Sequence, residues 1–192
     1  MQLYDSANSF DPVQIIESHE STVTSVRFLK EPIVPQPDTT PSGNKSQLSL
    51  LTASADKSLA KYSLMRGKQL NDLEPFELVK SESYNNKIFS MDVSSSSSLV
   101  LTGHDQTLTL SSSSTFQMLW QKRPDPSRKV VPHHLKVMID EYGKVAVTST
   151  TDRQLMMFDT ESGRLLAKVQ CGEIITGMCF SDNKRHIITT SS

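Results

Sequence analysis

Apolar and polar residues alternate along most of this chain in short runs, with the two-residue period of strands whose faces meet different surroundings. The clearest runs are Val23 to Phe28, Ile88 to Val93 and Leu135 to Ile139, with a fourth at Ile174 to Phe180. Each leads, through a connection, to a second run of small and apolar residues: Leu51 to Ser54, Leu99 to Gly103, Val147 to Thr150 and Ile187 to Ser192. Turn signals at Ser94 to Ser98, Glu141 to Lys144 and Ser181 to Lys184 fall at one corresponding place, between first and second strands. Further strands are expected at Phe76 to Val79, Gln117 to Trp120 and Leu165 to Val169. No amphipathic helix competes with them.

The strands belong to a repeat. Leu51 to Gly67 aligns without a gap on Val147 to Gly163, each with an Asp, then Leu at +3, an aromatic at +6 and Gly at +11. Leu99 to Leu108 is a degraded third copy, with Ser111 in place of the aromatic and Phe116 in place of the Gly. Asp56, Asp105 and Asp152 are 49 and 47 residues apart, close to a four-stranded propeller blade of ~40–45 residues lengthened by insertions. The phase predicts an all-β segment of about four blade equivalents. A half blade spans 1–18, with Leu3 to Asp5 as third strand and Val13 to Ile16 as fourth. Full blades span 19–80, 81–121 and 133–170, and another half blade spans 171–192. Such units bury their faces only by stacking on neighbours.

Composition narrows the function. Lys plus Arg total 20 and Asp plus Glu 21, for a net charge of −1, so no polycation is present to hold a phosphate backbone. Only 36% of residues are hydrophobic and 29 are serine, which fits a β-rich chain with many polar turns. Cys171 and Cys179 make neither a disulfide framework nor a zinc-ligand spacing, so a reducing compartment is expected. The first residues lack a secretory signal and no apolar run approaches the ~20 residues of a membrane span. The chain reads as soluble and intracellular. With seven glycines it has no phosphate-cradling loop and no Gly-x-Ser-x-Gly elbow, so no enzyme, cofactor or small-molecule substrate is expected.

These residues resemble a WD-repeat β-propeller. In that family a His before the first strand, a Ser or Thr on the second, an Asp in the next turn and a Trp on the third form a buried hydrogen-bond network. The resemblance places His19, Thr52 or Ser54, Asp56 and Tyr62 in that network, Tyr62 offering a hydroxyl instead of an indole. Asp105 occupies the turn position of the second full repeat, which has Asn85 and Asn86 where His is expected. His133 or His134 and Asp152 fit the third, whose Phe158 has no donor, and the last repeat has Gly172 without His. A partial network throws more weight onto apolar packing. The segments Glu17 to Glu20, Ala55 to Ser58, Thr148 to Ser149 and above all Glu173 to Phe180 resemble the mitogen-activated protein kinase-binding protein and spindle-pole WD-repeat scaffold family. That resemblance implies tandem propellers tied to c-Jun N-terminal kinase signalling and the mitotic spindle, a cytoplasmic or cytoskeletal location, and a kinase-docking region outside the propellers.

Sharper readings compete with plainer ones. His19 with Asp56 has the composition of a catalytic dyad, but its phase in the repeat favours a structural role. His133 and His134 have no carboxylate or Cys at ligand spacing, so no metal is expected; one reads as the structural His and the other as solvated. The proline-rich insertion 31–47 must loop out; Thr40, before Pro41, is its candidate phosphosite, against a plain surface insertion. The connection 122–129 is basic, with Arg123, Arg128 and Lys129 as candidate partner contacts, against a solvated loop. Trp120 reads as packing between blades in preference to an exposed anchor. The expected function is a non-catalytic platform for protein partners, with nucleic acid unlikely. The alternative is an RNA-binding adaptor using 122–129. The unfinished blades suggest a cut through a larger propeller.

Overall fold

A computed structural model describes residues 1–5, 11–32, 46–65, 67–70, 72, 74–94, 96, 98–123, 131–183 and 185–192. Among these residues there is no helix, and the strands group into antiparallel sheets. Strands β1 (Gln2–Asp5) and β2 (Asp11–Ile15) form a two-stranded sheet. The first four-stranded sheet is β3 (Val23–Pro32), β4 (Ser46–Ser54), β5 (Ser58–Leu64) and β6 (Phe76–Ser83), paired in chain order. The second is β7 (Ile88–Val93), β8 (Leu99–His104), β9 (Leu108–Ser112) and β10 (Met118–Lys122). The third is β11 (His134–Ile139), β12 (Val145–Thr150), β13 (Gln154–Asp159) and β14 (Leu165–Gln170). A last pair, β15 (Ile175–Phe180) and β16 (Ile187–Ser191), follows.

The repeat extends to its irregularities. In every first strand one residue is extra to the ladder near the start, at Thr24, Phe89, Leu135 and Thr176. In every fourth strand another is extra, at Val13, Val79, Leu119 and Leu166. A bulge bends a strand and increases its twist, so equal placement bends the strands at the same points of the repeat. The turns after β4 and β12 match as well: Lys57 and Arg153, each just after the repeat Asp, take left-handed φ values of 75° and 61°. In the corresponding turn of the second sheet His104 N–H donates to Thr107 O at 2.8 Å.

The core lies between sheets. One apolar cluster joins Leu51, Ala53 and Leu59 of the first sheet to Ile88, Met91 and Val100 of the second. Another joins Leu101, Leu108 and Leu110 to Val137, Ala146 and Phe158 of the third. A third packs Met1, Leu3 and Ile16 against Leu50, Tyr62 and Phe76. Among the proline-rich residues, pairing runs further than the prolines suggested, through Glu31 opposite Gln47 to Pro32 opposite Ser46. Pro32 is tolerated because it ends its strand. Thr40 lies outside the described residues, as do Arg128 and Lys129.

Candidate functional site

The first sheet builds its polar network from a loop histidine. His19 precedes β3, and its Nδ1–H lies 3.0 Å from Asp56 Oδ2 and 2.9 Å from Ser58 Oγ, while Nε2 meets Thr52 Oγ1 at 2.7 Å. A carboxylate only accepts, so Asp56 fixes the proton on Nδ1 and leaves Nε2 to Thr52. Asp56 also accepts from the Ser58 amide (2.8 Å) and hydroxyl (2.5 Å) and from the Glu20 amide (2.9 Å). Its own amide donates to Ser54 Oγ at 3.1 Å, and Ser54 donates to Thr22 O at 3.0 Å. Burial works against the charge, but the bonds from Ser58, Glu20 and His19 outweigh it and hold the Asp56 carboxyl down at about 2. Tyr62 brings its hydroxyl to the loop that carries His19. Its hydroxyl bonds Ser18 Oγ, the residue before His19.

The second and third sheets use histidines on the strands themselves. His104, the last residue of β8, lies with Nδ1 3.3 Å from Asn86 O and Nε2 2.9 Å from Thr102 Oγ1. Asn86 thus contributes its backbone where the family pattern expects an imidazole. His134, the first residue of β11, bonds Thr148 Oγ1 through Nδ1 at 3.0 Å. Both rings are buried, and burial lowers their basicity; for His134 the neighbouring His104 adds to this and the value falls to about 4. Thr150 donates to Asp152 Oδ1. His133 is not simply solvated: its Nδ1 bonds Asp105 O and stands 3.5 Å from Asp105 Oδ1, linking two sheets, and its ring meets Phe89 edge-on at 5.8 Å.

A second set of polar links was not singled out from the sequence. Met91 N–H donates to Ser25 Oγ (3.0 Å) and, one sheet on, Val137 N–H donates to Ser90 Oγ (3.2 Å). Asp92 accepts from Ile139 N–H at 3.0 Å and from Arg27 Nε at 2.9 Å. The innermost strands β3, β7 and β11 are therefore stitched through equivalent serines. Ser25 and Ser90 share one repeat position, a signal the alignment contained. Trp120 seals the same seam further out, its indole N–H donating to Thr160 O at 2.7 Å and its ring 6.1 Å from Phe158.

Between the outer strands of the second and third sheets runs a groove of about 280 Å³, lined by Lys122, Arg123, Met156, Phe158, Leu165 and Lys168 among others. Gln106 and Arg123 also line an adjoining polar depression of about 600 Å³ that reaches Tyr84, Asn85 and His104. The Tyr84 hydroxyl, buried beside Ser111, has no hydrogen-bond partner of good geometry, and burial pushes it up to about 12. Among the described residues no three His, Cys, Asp or Glu side chains are grouped to hold a metal ion.

No family model matches the chain. WD repeat-containing protein 62 of Mus musculus is 41% identical over 58 residues, and that of Sus scrofa is 43% identical over 58 residues. The matched stretch is 30% of this chain and 4% of each relative. Four-stranded antiparallel sheets in succession, with a His, Thr and Asp network at the first, make this an all-β fold of blades, and its similarity is to WD-repeat proteins.

Proposed function

We propose that this chain is a non-catalytic WD-repeat platform for protein–protein interaction, acting in c-Jun N-terminal kinase signalling or mitotic spindle organisation from the cytoplasm or cytoskeleton. The observation that carries the platform is the stitching of successive sheets: Ser25 to Met91, Ser90 to Val137 and Asp92 to Ile139 tie the inner strands together. A scaffold held this way loses little conformational freedom when a partner binds, so contacts on its faces are not spent on ordering it. The similarity to WD repeat-containing protein 62 supports the same reading. The signalling and spindle context rests on the resemblance of Glu173 to Phe180 and the other matched segments.

The test is affinity capture with the tagged full chain from interphase and mitotic cells, quantified by mass spectrometry. Reproducible enrichment of kinase-pathway or spindle components is expected, and a fluorescent fusion should concentrate at spindle poles in mitosis. Capture without any reproducible protein partner would remove the platform; partners from neither system would remove only the cellular context.

A further inference from the structure

We propose that the groove between the outer strands of the second and third sheets docks an acidic peptide segment carrying an apolar residue beside its carboxylates. This rests on the platform reading and adds to it the site and the chemistry of the partner. Lys122, the last residue of β10, Arg123, which follows it, and Lys168, on β14, all line the groove, and no Asp or Glu is among its described lining residues. In a chain of net charge −1 such a concentration of one sign is local, and it calls for the opposite sign in the occupant.

Among the described residues these cations are held without a carboxylate at ion-pair distance. Lys122 Nζ stands 5.5 Å over the Trp120 ring, which orders its stem without a carboxylate. Arg123 donates Nε–H to Gln121 Oε1 at 3.0 Å, a neutral partner that leaves the guanidinium charge for a ligand. Lys168 is exposed on the last strand of its sheet. In the third sheet's turn, Asp152 accepts from Thr150. Met156, Phe158 and Leu165 give the groove an apolar wall, which a chain of carboxylates alone would leave unused. Beyond Arg123, the polar depression presents Asn85, Gln106, Thr107 and Gln121, side chains suited to the amides of an extended backbone.

A nucleic acid fits less well. Single strands are held by stacking bases on open aromatic rings, whereas Phe158 is buried and Trp120 is covered by Lys122 and tied to Thr160.

The experiment is fluorescence anisotropy with the full chain and three labelled probes: the peptide Glu-Glu-Leu-Glu-Asp-Leu-Glu, its Gln/Asn counterpart, and a twelve-nucleotide uridine RNA. The acidic peptide should bind about tenfold or more tighter than its amide counterpart, with affinity falling as salt rises. Lys168→Glu and Arg123→Glu should each weaken it about tenfold or more. Lys144→Glu, on the turn between β11 and β12, should not. Unchanged thermal midpoints show that the variants fold; if Arg123→Glu does not, Arg123→Gln replaces it and the same loss is required. Equal binding of the two peptides, indifference to Lys168→Glu, or preference for the RNA would each overturn the proposal. If affinity capture still returns protein partners in that case, the platform survives and only the groove falls.

Discussion

The first sheet and the seam between the second and third do the same job with different chemistry. In the first, an ionised Asp56 holds His19 from a loop, and the imidazole passes the constraint to Thr52. At the seam, His104 and His134 sit within the strands, neutral and buried, and bond Thr102 and Thr148 without a carboxylate partner. Asp105 and Asp152 occupy the equivalent turns but are engaged by His133 and Thr150 instead. The histidine of the first sheet is thus held by a charge-assisted bond, and the buried histidines of the second and third by desolvated neutral ones. Acid attacks both, in separate windows.

The largest expected effect separates those windows. His134 has a folded value of about 4 against an ordinary 6.5, so between these pH values the unfolded chain binds the extra proton and stability falls as pH falls. At 1.36 kcal/mol per unit, about 2–3 kcal/mol should be lost from pH 7 to pH 4.5, read by urea denaturation, and His104 should add to it in the same direction. The contribution of Asp56 is complete above its ordinary value of 3.8 and should disappear only as pH falls toward 2. His134→Gln should shrink the upper limb to the part due to His104 and leave the lower one; a single transition common to both would erase the distinction between the networks.

Gly103 tests how tightly the seam is built. A Cβ there would stand 2.7 Å from Val137 Cγ1 and 3.0 Å from the His134 carbonyl oxygen. Gly103→Ala should cost about 2 kcal/mol by forcing β8 and β11 apart, measured by chemical denaturation. A neutral result would mean that the sheets do not approach this closely.

Asp56→Asn addresses the other side of the comparison. It keeps the shape but loses the charge that accepts from Ser58, Glu20 and His19, and about 1–2 kcal/mol should go with it at pH 7. The smallest change is Trp120→Phe, which retains most of the ring contact with Phe158 but leaves Thr160 O without its donor. About 1 kcal/mol is expected, and indole fluorescence supplies the complementary measurement in the parent chain: its midpoint should coincide with that of circular dichroism if the seam melts with the sheets.

Legibility in the sequence followed range of interaction. The first strands were visible because alternation is local, and the repeat Asp positions because a fixed turn follows each second strand. His19 and Asp56, matched by phase in the repeat, stand at hydrogen-bond distance. His104 was passed over because the pattern sought its imidazole before the first strand, and the structure instead supplies the Asn86 carbonyl there and the ring from β8. Tyr62 matched by position, but the partner of its hydroxyl, Ser18, lies 44 residues away, a pairing that spacing does not encode. Ser25 and Ser90 looked like ordinary serines in a serine-rich chain, since their partners, Met91 and Val137, lie a whole repeat away.

What the amino-acid sequence determined by itself is the unit: a period of 47 to 49 residues, strands of two-residue alternation, and a turn with Asp at its head. Only the tertiary structure decided how units meet. The core lies between sheets, the serine stitches cross from one first strand to the next, and the cationic groove combines β10 with β14. The physical reason is that a strand's periodicity records which face is buried, whereas the neighbour that buries it is chosen by packing across sheets tens of residues apart.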